Sequence, residues 1–131
     1  MKSKVRPVNI LVVDDDEVDV MAVKRTLSRA GTGNAIWVAG DGIEALDLLR
    51  SNEIPRPRII LLDLNMPRMN GIAFLQELRQ DQDLSEEAVI VMTTSSAKED
   101  QSAAMALGVQ KYLVKEKVHD ELIELVRRPN E

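Results

Sequence analysis

Cysteine is absent from the 131-residue chain, which excludes disulfides and thiolate metal sites and fits a reducing compartment. Histidine occurs once, at His119, so a multi-histidine metal centre is excluded as well. No apolar stretch approaches the roughly 20 residues of a membrane-spanning helix. The basic start Met1-Lys2-Ser3-Lys4-Val5-Arg6-Pro7 runs straight into a short strand and leaves no room for a signal peptide's apolar core. Internal linkers and low-complexity tracts are missing. So is a concentrated basic face: the formal net charge is −5, which argues against nucleic acid as a direct partner. What remains is a single cytoplasmic domain without a membrane partner, 44% hydrophobic and long enough to bury one core.

Short apolar runs alternate with segments of helical period along this chain. Val8–Val13, Ala35–Ala39, Ile59–Leu62 and Ala88–Met92 read as strands, with Lys111–Val114 as a fifth and more polar one. The first, third and fourth are apolar at successive positions, as strands covered on both faces must be. Between them, Val20, Val23, Leu27 and Ala30 mark a first helix stopped by Gly31, and Ala45, Leu46 and Leu49 mark a second. Ile72, Phe74, Leu75 and Leu78 mark a third, Ala103, Ala104 and Leu107 a fourth, and Val118, Leu122, Leu125 and Val126 a fifth. Repeated βα units with right-handed crossovers predict an α/β fold: a five-stranded parallel sheet of order 2-1-3-4-5, doubly wound and flavodoxin-like, over residues 1–131 with no output domain.

In such a sheet the ligand crevice lies beyond the carboxyl ends of the strands. Asp14-Asp15-Asp16, Asp63, Thr93 and Lys115 each follow a different strand. Two like charges about 4 Å apart repel by roughly 4 kcal/mol at an effective dielectric of 20. A divalent cation resolves such crowding, and oxygen-only ligands favour a hard one, Mg²⁺ above all. Asp16, Glu17 and Asp19 read instead as the acidic start of a helix. Thr93 has a hydroxyl that can donate to a phosphoryl oxygen, and Lys115 an ammonium that can neutralise a carboxylate and then a phosphoryl group. Acid cluster, lone acid, hydroxyl and ammonium together describe a site where a carboxylate accepts a phosphoryl group. Trp37 and Phe74 read as packing residues.

With Val12-Val13-Asp14-Asp15, Asp63, Met66-Pro67, Asn70-Gly71, Thr93, Gly108, Tyr112 and Lys115 in this order, the chain resembles the receiver domain of two-component response regulators over essentially its whole length. The resemblance implies a phosphoacceptor and not a conventional enzyme. It implies that Asp63 takes its phosphoryl group from a sensor histidine kinase or phosphotransfer protein. It further implies Mg²⁺ held by Asp15, Asp63 and the Asn65 backbone carbonyl, with Asp14 acting through water, and phosphoryl oxygens bound by Thr93 and Lys115. Tyr112 is then either a switch aromatic coupled to Thr93 or an aromatic packing an edge strand. The output would be a protein-interaction surface on helix 4, strand 5 and helix 5, read by another protein or by a second copy in a homodimer.

Two positions depart from the family pattern: Glu116, not proline, follows Lys115, and Ser51–Arg58, with Pro55 and Pro57, lengthens the approach to the third strand. The acidic opening and the missing proline are similar to single-domain regulators paired with bacterial phytochromes. One rival stands beside this reading. Asp14-x-Asp16-x-Val18 also matches the first motif of haloacid-dehalogenase-type phosphatases, with Asp14 as nucleophile, though it leaves Asp63 unexplained.

Overall fold

A computed structural model of the chain describes residues 8–31, 33–66, 69–94 and 97–115. In chain order these form β1 (Asn9–Val13), α1 (Glu17–Ala30), β2 (Ile36–Ala39), α2 (Gly42–Arg50), β3 (Arg58–Leu62), α3 (Gly71–Gln80), β4 (Ala88–Thr93), α4 (Lys98–Ala106) and β5 (Lys111–Val114). The strands pair in parallel in the order β2-β1-β3-β4-β5, the expected flavodoxin-like sheet. Four of the five strands differ from the sequence reading by one residue at one end, the ordinary spread between pattern and hydrogen-bond criteria. At β4 the added residue is Thr93 itself. The fifth helix and Glu116 lie outside the described residues. No helix among the described residues is long and apolar enough to cross a membrane.

Strands β1, β3 and β4 are apolar at successive positions because alternate side chains feed separate cores. On one face Leu11, Val13, Ile60, Leu62 and Val91 pack with Leu46 and Leu49 of α2 and Phe74, Leu75 and Leu78 of α3. On the other, Ile10, Val12, Leu61, Ile90 and Met92 pack with Val20, Val23 and Leu27 of α1. Crossovers on both sides of a parallel sheet require this two-faced burial. Helix α1 begins at Asp16, whose carboxylate accepts from the Val18 N–H at 2.9 Å, and ends at Gly31 with φ +66°, a left-handed conformation suited to glycine.

Helix α4 departs from the expected stripe. Of Ala103, Ala104 and Leu107, only Ala104 is buried, and Leu107 caps the helix from beyond its end. Ala97 at its N-cap makes no side-chain capping bond. A helix with one buried residue is held to the core more lightly than its described neighbours, which bury three or four each.

At the amino ends of the strands, far from the crevice, Arg58 opens β3 with a fully buried guanidinium. It donates to both carboxylate oxygens of Glu87, at 3.0 and 2.5 Å, and to the Ile54 carbonyl at 2.8 Å. With Ile54 buried, these bonds fix the long approach through Pro55 and Pro57. Arg79 does comparable work nearby, donating to the carbonyls of Ser85, Glu87, Leu107 and Gly108 and so tying the end of α3 to the starts of β4 and β5.

Candidate functional site

Strand pairing sets the first distances of the site. Val13 lies opposite Leu62 across β1 and β3, so the next residues, Asp14 and Asp63, emerge side by side. Their backbones are pinned: Asp63 N–H donates to the Val13 carbonyl and Asp14 N–H to the Ala39 carbonyl, both at 3.0 Å. The carboxylates of Asp14, Asp15 and Asp63 offer oxygens that all lie within 4.8 Å of one another. Asp14 and Asp63 are buried and Asp15 is exposed, so the cluster has a dry floor and an open lip.

Lys115, directly after β5, reaches across the sheet to this cluster. Its Nζ stands 2.8 Å from Asp14 Oδ2 and 3.5 Å from Asp63 Oδ2. It also donates to Asp19 Oδ2 at 2.5 Å. Asp19 is therefore a residue of the site and more than a solvated helix start; its signal in the sequence, an acid in an acidic first turn, was masked by the favourable helix-dipole role that such acids have anyway. Burial lowers the proton affinity of Lys115, but the hydrogen bonds to Asp14 and Asp19 and the charges of Asp14 and Asp63 outweigh it, and the ammonium is held above its ordinary pKa. Burial raises the pKa of Asp14, and the Asp63 charge adds to the rise, against the opposing bonds from Lys115 and the Asp16 N–H. The net effect leaves the Asp14 carboxyl above its ordinary pKa, burial being the largest cause.

The Asn70-Gly71 pair shapes the far wall. Asn70 caps α3 by accepting from the Ala73 N–H at 2.9 Å, and Gly71 N–H donates to the Leu64 carbonyl at 3.0 Å. A Cβ on Gly71 would fall 2.7 Å from both the Asp63 carbonyl oxygen and Leu64 Cα. Both are backbone atoms beside the Asp63 side chain, so only glycine lets α3 start this close. Gly71→Ala is expected to destabilise the protein by roughly 2 kcal/mol or more, as backbone must shift to admit the methyl group. Urea unfolding checks this, and an unchanged midpoint would show that the Asp63–Leu64 backbone yields freely. The same turn is tightened by Asn65, whose N–H donates to Asp63 Oδ1 at 3.2 Å.

Thr93 closes β4, fully buried, opposite Val114. Tyr112, on β5, pairs with Val91 of β4 and packs, partly buried, against the α2–α3 core. Strand alternation puts Thr93 on the same face as Val91, and parallel pairing puts Tyr112 there too. A cleft of about 430 Å³ opens beside the cluster between Asp15, Asn65, Asn70 and Asp100.

An acid cluster, an ammonium and a hydroxyl at successive strand ends of this sheet define a phosphoacceptor module. A model of the response regulator receiver domain family matches residues 10–127. The chain belongs to that family: it is a phosphoacceptor response regulator of the kind that works with histidine kinases or phosphotransfer proteins. Response regulator Rcp1 of Synechocystis sp. is 34% identical over 125 residues, covering 92% of this chain and 85% of that protein. The crystal structure of Mn²⁺-bound Rcp1 matches with a TM-score of 0.77 over 92% of this chain and 90% of that one. The phosphorylated cyanobacterial phytochrome response regulator RcpA, 28% identical, matches with a TM-score of 0.79 over 93% and 90%. A CheY homolog of Campylobacter jejuni is 35% identical over 106 residues, or 81% of this chain and 79% of that protein. None of these likenesses supports the dehalogenase-type alternative.

Proposed function

We propose that Asp63 is the phosphoryl acceptor of this receiver domain. The observation that carries the reading is a buried carboxylate at the mouth of β3, with two further carboxylates in its cluster and an ammonium at 3.5 Å. Asp63 Oδ forms the new bond to phosphorus as the P–N bond of a phosphohistidine breaks and the imidazole leaves. Such transfer depends on alignment and charge neutralisation more than on proton movement. Lys115 supplies one positive charge beside the incoming group, and Thr93 donates its hydroxyl to a phosphoryl oxygen. Asp14 is a poor nucleophile by comparison: its oxygens are engaged by the Asp16 N–H and by Lys115.

The donor set fits Mg²⁺, being all oxygen and crowded, with the oxygens of three carboxylates within 4.8 Å of one another and Lys115 beside them. Asp15, Asp63 and the Asn65 carbonyl would hold it, with Asp14 acting through water. When bound, Mg²⁺ neutralises the carboxylates and the phosphoryl oxygens. A ligand that binds only the native state stabilises it by about 2.7 kcal/mol at a hundredfold excess over Kd. Thermal melts with and without Mg²⁺ are expected to separate for the wild type and to coincide for Asp15→Asn, a change on the exposed lip that leaves the core intact. Equal shifts in both proteins would place the metal elsewhere.

The switch runs through Thr93, Tyr112 and α4. Thr93 and Tyr112 share a face, and α4 is the least deeply buried helix among the described residues. Movement of Thr93 toward the phosphoryl group and of Tyr112 behind it changes the surface of α4 and β5, where another protein or a second copy of the chain docks. Incubation with Mg²⁺ and a small phosphodonor, followed by mapping of the modified residue, tests the reading. Modification of Asp63 is expected; modification of Asp14 would select phosphatase-type chemistry instead.

A further inference from the structure

Lys115 makes its closest contact with neither the presumed nucleophile nor the acid beside it. It makes it with Asp19, at 2.5 Å, against 2.8 Å to Asp14 and 3.5 Å to Asp63. Asp19 lies outside the three-carboxylate cluster, in the first turn of α1. The buried Val20 and Val23 anchor the backbone of that turn and so keep Asp19 within reach of the ammonium. An ammonium has three N–H donors. Two are committed, to Asp14 and Asp19, and the third faces Asp63 from beyond the ~2.7–2.9 Å of a charged hydrogen bond. The nucleophile is therefore left uncapped by the very lysine that is to bind its product.

We propose that Asp19 is a positioning residue that competes with the Asp63 side of the site for Lys115, and so limits how tightly a phosphoryl group on Asp63 is held. The proposal rests on the reading of Asp63 as acceptor and Lys115 as a phosphoryl ligand. In the unmodified protein Asp19 draws the ammonium back and keeps Asp63 free for attack. A phosphoryl group added to Asp63 has to pull Lys115 toward itself and lengthen the bond to Asp19. That bond weighs against the modified state, and removing the Asp19 charge tips the balance toward it.

Beryllofluoride, which mimics a phosphoryl group on a carboxylate in the presence of Mg²⁺, reads this balance without turnover. It is titrated at saturating Mg²⁺ into wild type, Asp19→Asn and Glu17→Gln, and followed by backbone amide NMR, which also reports that each variant is folded. Glu17 is exposed, sits in the same turn and is not among the carboxylates that meet Lys115, so its variant removes the same charge without touching the lysine. The half-saturating concentration is expected to fall about fivefold in Asp19→Asn, the low end of ordinary coupling because the Asp19 side chain is 34% exposed. Glu17→Gln is expected to shift it much less. Asp19→Ser gives the same comparison if the Asn variant does not fold. Equal shifts in the Asp19 and Glu17 variants, no shift, or weaker binding in Asp19→Asn overturns the role of Asp19 and leaves Asp63 as acceptor. Failure of the wild type to bind overturns the acceptor reading and this inference with it.

Discussion

Asp63→Asn is expected to take up no phosphoryl group from a small phosphodonor and Mg²⁺ while keeping the fold. The amide has the carboxylate's shape, and its oxygen can still accept from the Asn65 N–H that now binds Asp63 Oδ1. It lacks the anionic oxygen that attacks phosphorus, and Asp14, the buried acid beside it, has its oxygens engaged by the Asp16 N–H and by Lys115. Lys115 loses only a 3.5 Å contact and retains its bonds to Asp14 and Asp19. Against that loss stands relieved repulsion among three crowded acids, on the order of 4 kcal/mol per pair at 4 Å and an effective dielectric of 20 before solvent screening. The melting temperature without Mg²⁺ is therefore expected to equal or exceed that of the wild type, while the Mg²⁺-induced rise shrinks. Intact-mass measurement after incubation, paired with melts, checks both halves. Undiminished labelling of the Asn variant would move the acceptor to another residue.

The parts of this molecule that were readable in the sequence are those where one residue's environment follows from its neighbours along the chain. Continuous apolar runs forced β1, β3 and β4 into the middle of a parallel sheet, and the acids, hydroxyl and ammonium that follow the runs had to gather at one edge. The Asn70-Gly71 motif was visible, but its reason was not: a missing Cβ matters there because the backbone at Asp63 and Leu64 comes within 2.7 Å, a distance set by tertiary packing. Asp19 went unread because an acid in the first turn of a helix has a sufficient local explanation. Helix α4 went partly unread for the opposite reason. Its apolar residues suggested a stripe, yet small alanines bury little and only Ala104 reaches the core. Arg58 and Glu87 are invisible to pattern altogether, since two charges 29 positions apart carry no periodicity.

That buried pair gives the largest stability effect expected outside the site. The side chains of Arg58 and Glu87 are 2% and 1% exposed, and their two hydrogen bonds leave neither charge facing water. Removing one member of such a pair costs about 3–5 kcal/mol, because the other is left buried and uncompensated. In Arg58→Met, Glu87 keeps a contact at 2.9 Å with Arg56, whose side chain is 60% exposed, so the loss is expected near ~3 kcal/mol. The Ile54 carbonyl also loses its donor, which loosens the approach to β3. Arg58→Met/Glu87→Leu is expected to recover most of the stability, because two apolar side chains of similar volume avoid the cost of desolvating charge. Urea denaturation of both proteins supplies the measurement. Phosphorylation of Asp63 is expected to persist in the double variant, because Arg58 opens β3 and Asp63 follows its other end. A double variant no more stable than Arg58→Met would mean that the pair is required for the local backbone path and not only to neutralise itself.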